Sequence, residues 1–307
     1  MAARILGLHH VTATVAEAIP DLRWYRDLLG LRLVKRTVNF DNPAVHHFYY
    51  GDRTGSPGSV FTTFPYAGHG VRVGTRGSGQ IESTRFSVPA GALPFWKERL
   101  ARAGVAVSPN LFLGEESLRF QDPSGLILTL VATTGDARPG WTGVVEQVEA
   151  IQGLHSVVLP VRDPDRSLAF LAEILGGVAV PRDQGASRVH VGPDRPGHWV
   201  DVVPAGDHPE GVNGLGTVHH VAFAVSAPAE QIALREELLH RGVKVTDVLD
   251  RKYFQSIYFR EPGGILYEVA TTGPGFTVDE PVDTLGSTLC LPPWLESRRE
   301  EITEALA

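Results

Sequence analysis

One order of elements runs through this chain four times, and it constrains the fold more than any other feature. An alternating strand comes first, then a helix closed by glycine, then three short strands. In unit one the leading strand is "LHHVTATV". The helix "AEAIPDLRWYRDLLG" follows, with Leu22, Tyr25, Leu28 and Leu29 on one face and Gly30 as its cap. "LRLVKRTV", "HHFYYGD" and "GSVFTTFPY" complete the unit. Unit two runs "IESTRFSVP", helix "GALPFWKERLARAG", "VAVSP", "SLRFQDPSG" and "LILTLVAT". Unit three runs "GLHSVVLPV", helix "DPDRSLAFLAEILGG", "VAVPRD", "SRVHVG" and "HWVDVVP". Unit four runs "VHHVAFAV", helix "APAEQIALREELLHRG", "VKVTDVLD", "QSIYFREPGG" and "ILYEVAT". The class is therefore α+β, built from four βαβββ modules. Residues 4–135 read as an N-terminal domain of modules one and two, and 150–273 as a C-terminal domain of modules three and four. Residues 274–307 form a tail whose "PPWLESRREEITEALA" continues as a helix packed on the outside.

Composition narrows the function. The 307 residues are 43% hydrophobic and 21% charged, the balance of a globular protein with a real core. A net charge of -7 argues against nucleic acid, whose binding needs concentrated positive charge. The single cysteine, Cys290, rules out a disulfide within the chain and a multi-cysteine zinc site. The start "MAARILGLHHV" lacks the apolar core of a signal peptide, and no apolar run reaches membrane-spanning length. A cytoplasmic protein is expected. Whether it forms a homo-oligomer stays open.

Register brings out the chemistry. Aligned on their alternation, the leading strands match His10 with Ser83, Ser156 and His220. Aligned on their turns, the closing strands match Glu268 with Thr63 and Thr129; module three puts Val202 there, with Asp201 one residue off. Three of the eight positions thus carry metal-ligating side chains: His10, His220 and Glu268. Two imidazoles and a carboxylate suit a facial triad for Fe(II), leaving positions open for substrate and oxygen. Mn(II) accepts the same ligands, and catalytic zinc uses the same ligand types. Thr63 supplies no fourth ligand. Another pair, His46 and His47, has no such register support.

From Leu6 to about Thr272 the chain resembles the vicinal oxygen chelate superfamily. That resemblance implies modules paired into two cup-shaped half-barrels, with a metal in one. "IYFREPGGILYE" is similar to the extradiol ring-cleavage signature, with a Tyr, an acidic residue before Pro, a Gly and the ligand Glu. The histidine that stands upstream in that signature is missing from "LDRKYFQS", which has Arg251 and Lys252 instead. "ILGLHHVTA", "LGLRLVKRTVNFD", "HHFYYGDRTGSPGSVFTTFP" and "LPPWLE" together resemble the hydroquinone-type ring-cleaving dioxygenases. The likeness implies His10, His220 and Glu268 as iron ligands, His219 and Tyr258 beside them, and a basic residue near Arg251 or Lys252. His219 reaches the site only if its strand twists or bulges, because neighbours on a strand face opposite ways. His9 has no assigned task.

Pairing module one with module four completes the triad, leaving two and three to form a barrel without metal ligands. An exchange between two chains would complete it as well. The expected partners are O2 and a small aromatic diol, a hydroquinone held to the metal through one hydroxyl. The alternatives are a catechol extradiol dioxygenase, a glyoxalase-type metal isomerase or lyase, and a non-catalytic binding protein on the same fold.

Overall fold

The structure, a computed structural model, describes residues 5–180 and 185–306. The first module supplies β1 (Leu8–Val15), β2 (Arg32–Asn39), β3 (Asn42–Gly51) and β4 (Val60–Pro65). The second supplies β5 (Ser83–Pro89), β6 (Ser108–Phe112), β7 (Glu115–Gln121) and β8 (Ile127–Thr133). The third gives β9 (Gly153–Val161), β10 (Val178–Ala179), β11 (Ser187–His190) and β12 (Trp199–Pro204). The fourth gives β13 (Thr217–Val225), β14 (Leu249–Asp250), β15 (Gln255–Arg260) and β16 (Leu266–Thr271). Each module has a helix after its first strand: α1 (Ala18–Leu22), α2 (Leu93–Arg102), α3 (Pro164–Leu175) and α4 (Pro228–His240). α1 continues into a wider π-helical turn over Arg23–Leu28 and stops at Gly30, whose φ of 69° is the left-handed cap expected there.

The strands form two eight-stranded sheets. One runs β14-β15-β16-β13-β1-β4-β3-β2 and the other β10-β11-β12-β9-β5-β8-β7-β6. Module one therefore joins module four, and two joins three, within one chain. Each sheet takes half its strands from before residue 135 and half from after 150. The seams are antiparallel, β1 on β13 and β5 on β9, while each leading strand lies parallel to its module's closing strand. The first sheet curls around a cavity of about 540 Å³. Two expected strands are shorter than read: "VKVTDVLD" pairs only at Leu249–Asp250 and in a bridge from Val245 to Phe259. In "VAVPRD" only Val178–Ala179 is strand, and Pro181–Asp183 lies outside the described residues.

The core lies between the helices and the sheets. Val11, Ala13 and Val15 of β1 point into it, while His10, Thr12 and Thr14 point into the cavity. A strand buried on both faces at the middle of a sheet explains why β1 is buried along its whole length. The tail packs on the outside, as expected. Phe276 and Leu285 bury against Val34, Tyr49 and Tyr253, and Leu291, Leu295 and Ile302 bury against Val38. It is fastened by Lys35, which has no exposed surface and stands 2.6 Å from Asp279 and 2.5 Å from Glu280. The tail helix α5 (Arg299–Ala305) is shorter than read, because Pro293–Arg298 winds as a 3-10 helix. No helix among the described residues is long and apolar enough to cross a membrane.

On the helix side of the first sheet, Asp21 is buried and accepts hydrogen bonds from Tyr50 (2.7 Å) and Thr63 (2.6 Å). Burial raises its carboxyl to about 7, against the pull of those two donors. Between the unfolded value of 3.8 and about 7 the native chain holds a proton that the unfolded chain has lost. Stability contributed by the neutral acid is therefore lost as pH rises through that window, by up to about 4 kcal/mol. Asp21→Asn removes this titration, so the variant should lose less stability than the parent between pH 5 and pH 8 in urea unfolding. Identical pH slopes for the two proteins would show that Asp21 is ionised in the native state.

Candidate metal centre

β1, β13 and β16 bring His10, His220 and Glu268 together. The His220 Nε2 atom lies 2.8 Å from Glu268 Oε2, and the His10 Nε2 atom lies 3.3 Å from that oxygen. The two Nε2 atoms are 3.3 Å apart. All three residues are buried, and no hydrogen-bond donor is aimed at Glu268 Oε2. Three ligand atoms about 2.1 Å from one ion at right angles stand about 3 Å from each other. The triangle has that size, so the residues fit a metal.

The backbone shows how neighbouring histidines come to share a site. In the β1–β13 seam Leu8 pairs with Phe223 and His10 with Ala222, so His9 is an extra residue. Thr12 pairs with His220 and Ala13 with Val218, so His219 is a second extra residue. Both are β-bulges, which locally break the alternation of the strand. Core packing records the switch: Leu8 is in the core on the even register and Val11 on the odd, and Val218 and Val221 do the same.

Each bulged histidine touches the triad histidine that follows it. The Nδ1 atoms of His9 and His10 are 2.9 Å apart, and those of His219 and His220 are 2.8 Å apart. Burial, then the adjacent His10, lowers His9 to about 3; burial, then His220, lowers His219 to about 3. Both are neutral imidazoles at neutral pH. His9 also meets the Thr271 backbone, and with its proton turned there its Nδ1 is the acceptor. His10 then carries its proton on Nδ1 and presents a bare Nε2 to Glu268. His219 allows the same tautomer at His220. Ser256 Oγ donates to the other carboxylate oxygen, Oε1, at 2.5 Å and fixes the rotation of Glu268. Three lone pairs face one point, an arrangement that a cation between them stabilises.

The remaining expected residues divide. His219 and Tyr258 line the cavity with the triad, and their rings lie 5.1 and 5.6 Å from that of His220. Burial, then the Glu268 charge, raises the Tyr258 phenol, so it stays protonated. Arg251 also lines the cavity. Its guanidinium sits 5.3 Å from the centre of the Tyr258 ring and is held by Asp41 at 2.9 and 3.2 Å. Lys252 turns the other way: at φ 65° it points to the tail, donating to the Leu291 carbonyl and pairing with Asp279. Sequence reasoning missed His9, Ser256, Asp41 and His47. His47 lines the cavity and bonds Thr62 (2.9 Å), which donates to Thr12 (2.8 Å). The His46–His47 pair drew no weight because it falls on β3, where no other module has a histidine to match.

Two register assignments are corrected. Ala222 pairs with Glu268, and its counterparts Thr12 and Val158 pair with Thr62 and Asp201. Thr62 and Asp201, not Thr63 and Val202, are the equivalents of Glu268. Thr63 bonds Asp21 on the opposite face. The turn is closed by Ser59 to Ser56 in module one and by His198 to Arg195 in module three, as by Gly125 to Asp122 and Gly264 to Glu261 in the others. From there the strand reaches the ligand position one residue sooner in modules one and three, and a slip of one residue changes the face.

A family model described as the Glyoxalase/Bleomycin resistance protein/Dioxygenase superfamily matches residues 153–269. MhqE of Bacillus subtilis (strain 168), which carries a ring-cleaving dioxygenase name, is 42% identical over 98% of this chain and 98% of its own. The chain belongs to this superfamily. A chlorohydroquinone/hydroquinone 1,2-dioxygenase of Sphingobium indicum is 34% identical over 99% of this chain and 96% of its own. A crystal structure of a Bacillus subtilis protein described as a dioxygenase superposes with a TM-score of 0.92 at 38% identity, covering 100% of this chain and 98% of that one. Both sheets of this superfamily member are therefore shared with a relative along the whole chain.

The geometry makes Ser256 and His9 quantitative targets. Ser256→Ala and His9→Phe each remove one group that orients a ligand, and each should weaken Mn(II) affinity about 10–100-fold. Glu268→Gln should abolish it. Isothermal titration of the metal-free protein reads all three, and unchanged affinity in Glu268→Gln would refute the triad.

Proposed function

We propose that the protein is an Fe(II)-dependent ring-cleaving dioxygenase acting on a hydroquinone, with His10, His220 and Glu268 as the metal ligands. One observation carries this reading: the three ligand atoms share one side, and Thr62 at the fourth equivalent position offers a hydroxyl already bonded to Thr12 and His47. A metal held by these three residues would keep positions free for substrate and dioxygen. A glyoxalase-type isomerase, whose site takes four protein ligands, fits less well. The full-length likeness to a chlorohydroquinone/hydroquinone 1,2-dioxygenase supports the substrate class.

Bound Fe(II) would lower the pKa of a coordinated hydroxyl and bring the ring and dioxygen within reach of each other. The chain's own residues do the rest. His219, neutral and in the cavity with its Nδ1 against His220, can hydrogen-bond the substrate through its other ring nitrogen. Tyr258, kept protonated, can donate a hydrogen bond to oxygen at the metal face. Arg251, clamped by Asp41, supplies positive charge beside Tyr258 where negative charge develops on oxygen. Phe254 and Phe64 give the ring apolar walls, and Phe254 packs on both His9 and His10 at 5.0 and 5.3 Å. Farther along the cavity Asn39 donates to Tyr66 (2.8 Å), and this pair offers hydrogen-bonding groups to the second hydroxyl.

Protein reconstituted anaerobically with Fe(II) and then exposed to air should consume oxygen with hydroquinones faster than with catechols, and Tyr258→Phe should slow it by about 10²–10⁴-fold. Faster turnover of catechols would overturn the substrate class, and no uptake with either diol would overturn the activity.

A further inference from the structure

The second sheet repeats the construction of the first at the point where the first gathers its ligand atoms. A bulge at His155 separates the pairs Arg85–Ser156 and Phe86–Leu154, as the bulge at His219 separates Thr12–His220 and Ala13–Val218. Counting from these bulges, Ser156 stands at the position of His220, Ser83 at that of His10, and Arg85 at that of Thr12. Val158 pairs with Asp201 as Ala222 pairs with Glu268, so Asp201 stands at the position of Glu268. The second sheet keeps the carboxylate and replaces both imidazoles by serines.

Asp201 has no exposed surface, and Arg85 has 2%. A carboxylate that deep needs a positive partner. Arg85 Nη1 lies 3.1 Å from Asp201 Oδ2 and 3.4 Å from Ser156 Oγ, so the guanidinium meets the side chains at two of the three ligand positions. Ser156 donates to the same Oδ2 at 2.7 Å. Glu115 balances the charge: its carboxylate lies 3.1 Å from Arg85 Nη2 and 2.7 Å from Arg188 Nη1, and Arg188 Nε also donates to Asp201 Oδ1 at 2.7 Å. Two guanidiniums thus face two carboxylates. The Phe112 ring closes over Arg85 at 4.9 Å.

We propose that Arg85 is a built-in cation standing in the place that a divalent metal takes in the first sheet. The chain then binds one metal, and the second sheet holds a closed structural copy of the site that admits a divalent cation once the guanidinium is gone. This rests on the reading of His10, His220 and Glu268 as metal ligands. Arg188 supports Arg85 in this role, reaching both oxygens of Asp201 at 2.7 and 3.1 Å.

The test uses the full chain in a Glu268→Gln background, which disables the first site, and reads the thermal midpoint against millimolar Mn(II). With Arg85 in place Mn(II) does not raise the midpoint. With Arg85→Ala the midpoint falls, and it climbs with Mn(II) concentration as a cation returns beside Asp201. A midpoint lowered by Arg85→Ala that ignores Mn(II) overturns the proposal. Should Arg85→Ala fail to fold, metal counting decides: the unmodified chain holds one Mn(II) and Glu268→Gln holds none, whereas Mn(II) remaining in Glu268→Gln overturns the proposal. An unmodified chain that binds no Mn(II) contradicts the metal reading of the first sheet, a result distinct from either outcome for Arg85.

Discussion

The structure turns on an electrostatic conflict at the β1–β13 seam. Two imidazole nitrogens and a carboxylate oxygen, all buried, point bare lone pairs at one another across about 3 Å. A hydrogen bond between any two of them leaves the third facing its neighbours. The surroundings enforce the arrangement. Ser256 holds one carboxylate oxygen, His9 and His219 hold the outer imidazole nitrogens, and the two bulges supply the backbone that lets them. Such a triad could hold a cation, and the pairing of modules one and four assembles it, since no single module carries all three residues.

The two sheets resolve the same problem in different ways. In the first, the place between His10, His220 and Glu268 could take a metal and opens on a cavity lined by Phe64, Tyr66, Arg251 and Tyr258. In the second, a guanidinium on the leading strand fills that place, and Arg188 stands where Tyr258 stands. The second sheet thereby gains a buried ion cluster of two guanidiniums and two carboxylates. The tail contributes from the other side. Phe276 buries against Tyr49 and Tyr253, whose neighbour Phe254 packs on His9 and His10, so the Lys35 clamp on Asp279 and Glu280 lies behind the wall of the site.

Much of this was legible in the sequence because strands keep a period of two. The four βαβββ units and the meeting of His10, His220 and Glu268 followed from counting, and so did the pairing of module one with module four. What counting missed has one physical cause: the period breaks. The bulges put His9 and His219 on the ligand side of their strands, where simple alternation would have sent them away. One residue fewer between turn and sheet position in modules one and three moved the equivalents of Glu268 to Thr62 and Asp201. Arg85 was visible, two residues past Ser83 and on the same parity, yet an arginine on a leading strand reads as a solvent-facing residue until its partner Asp201 is in register. Arg251 and Lys252 were inseparable in sequence because the backbone at Lys252, at φ 65°, decides which side chain enters the cavity.

The central claim is that a metal is held by three side chains from two modules with its remaining positions facing the cavity. An anomalous difference map from crystals of the Mn(II)-loaded protein tests it most directly. The account predicts one peak per chain, within bonding distance of His10 Nε2, His220 Nε2 and Glu268 Oε2 and of no fourth side chain, with the second sheet empty of metal. A peak placed elsewhere, or one with Thr62 or His47 as an additional ligand, would contradict it.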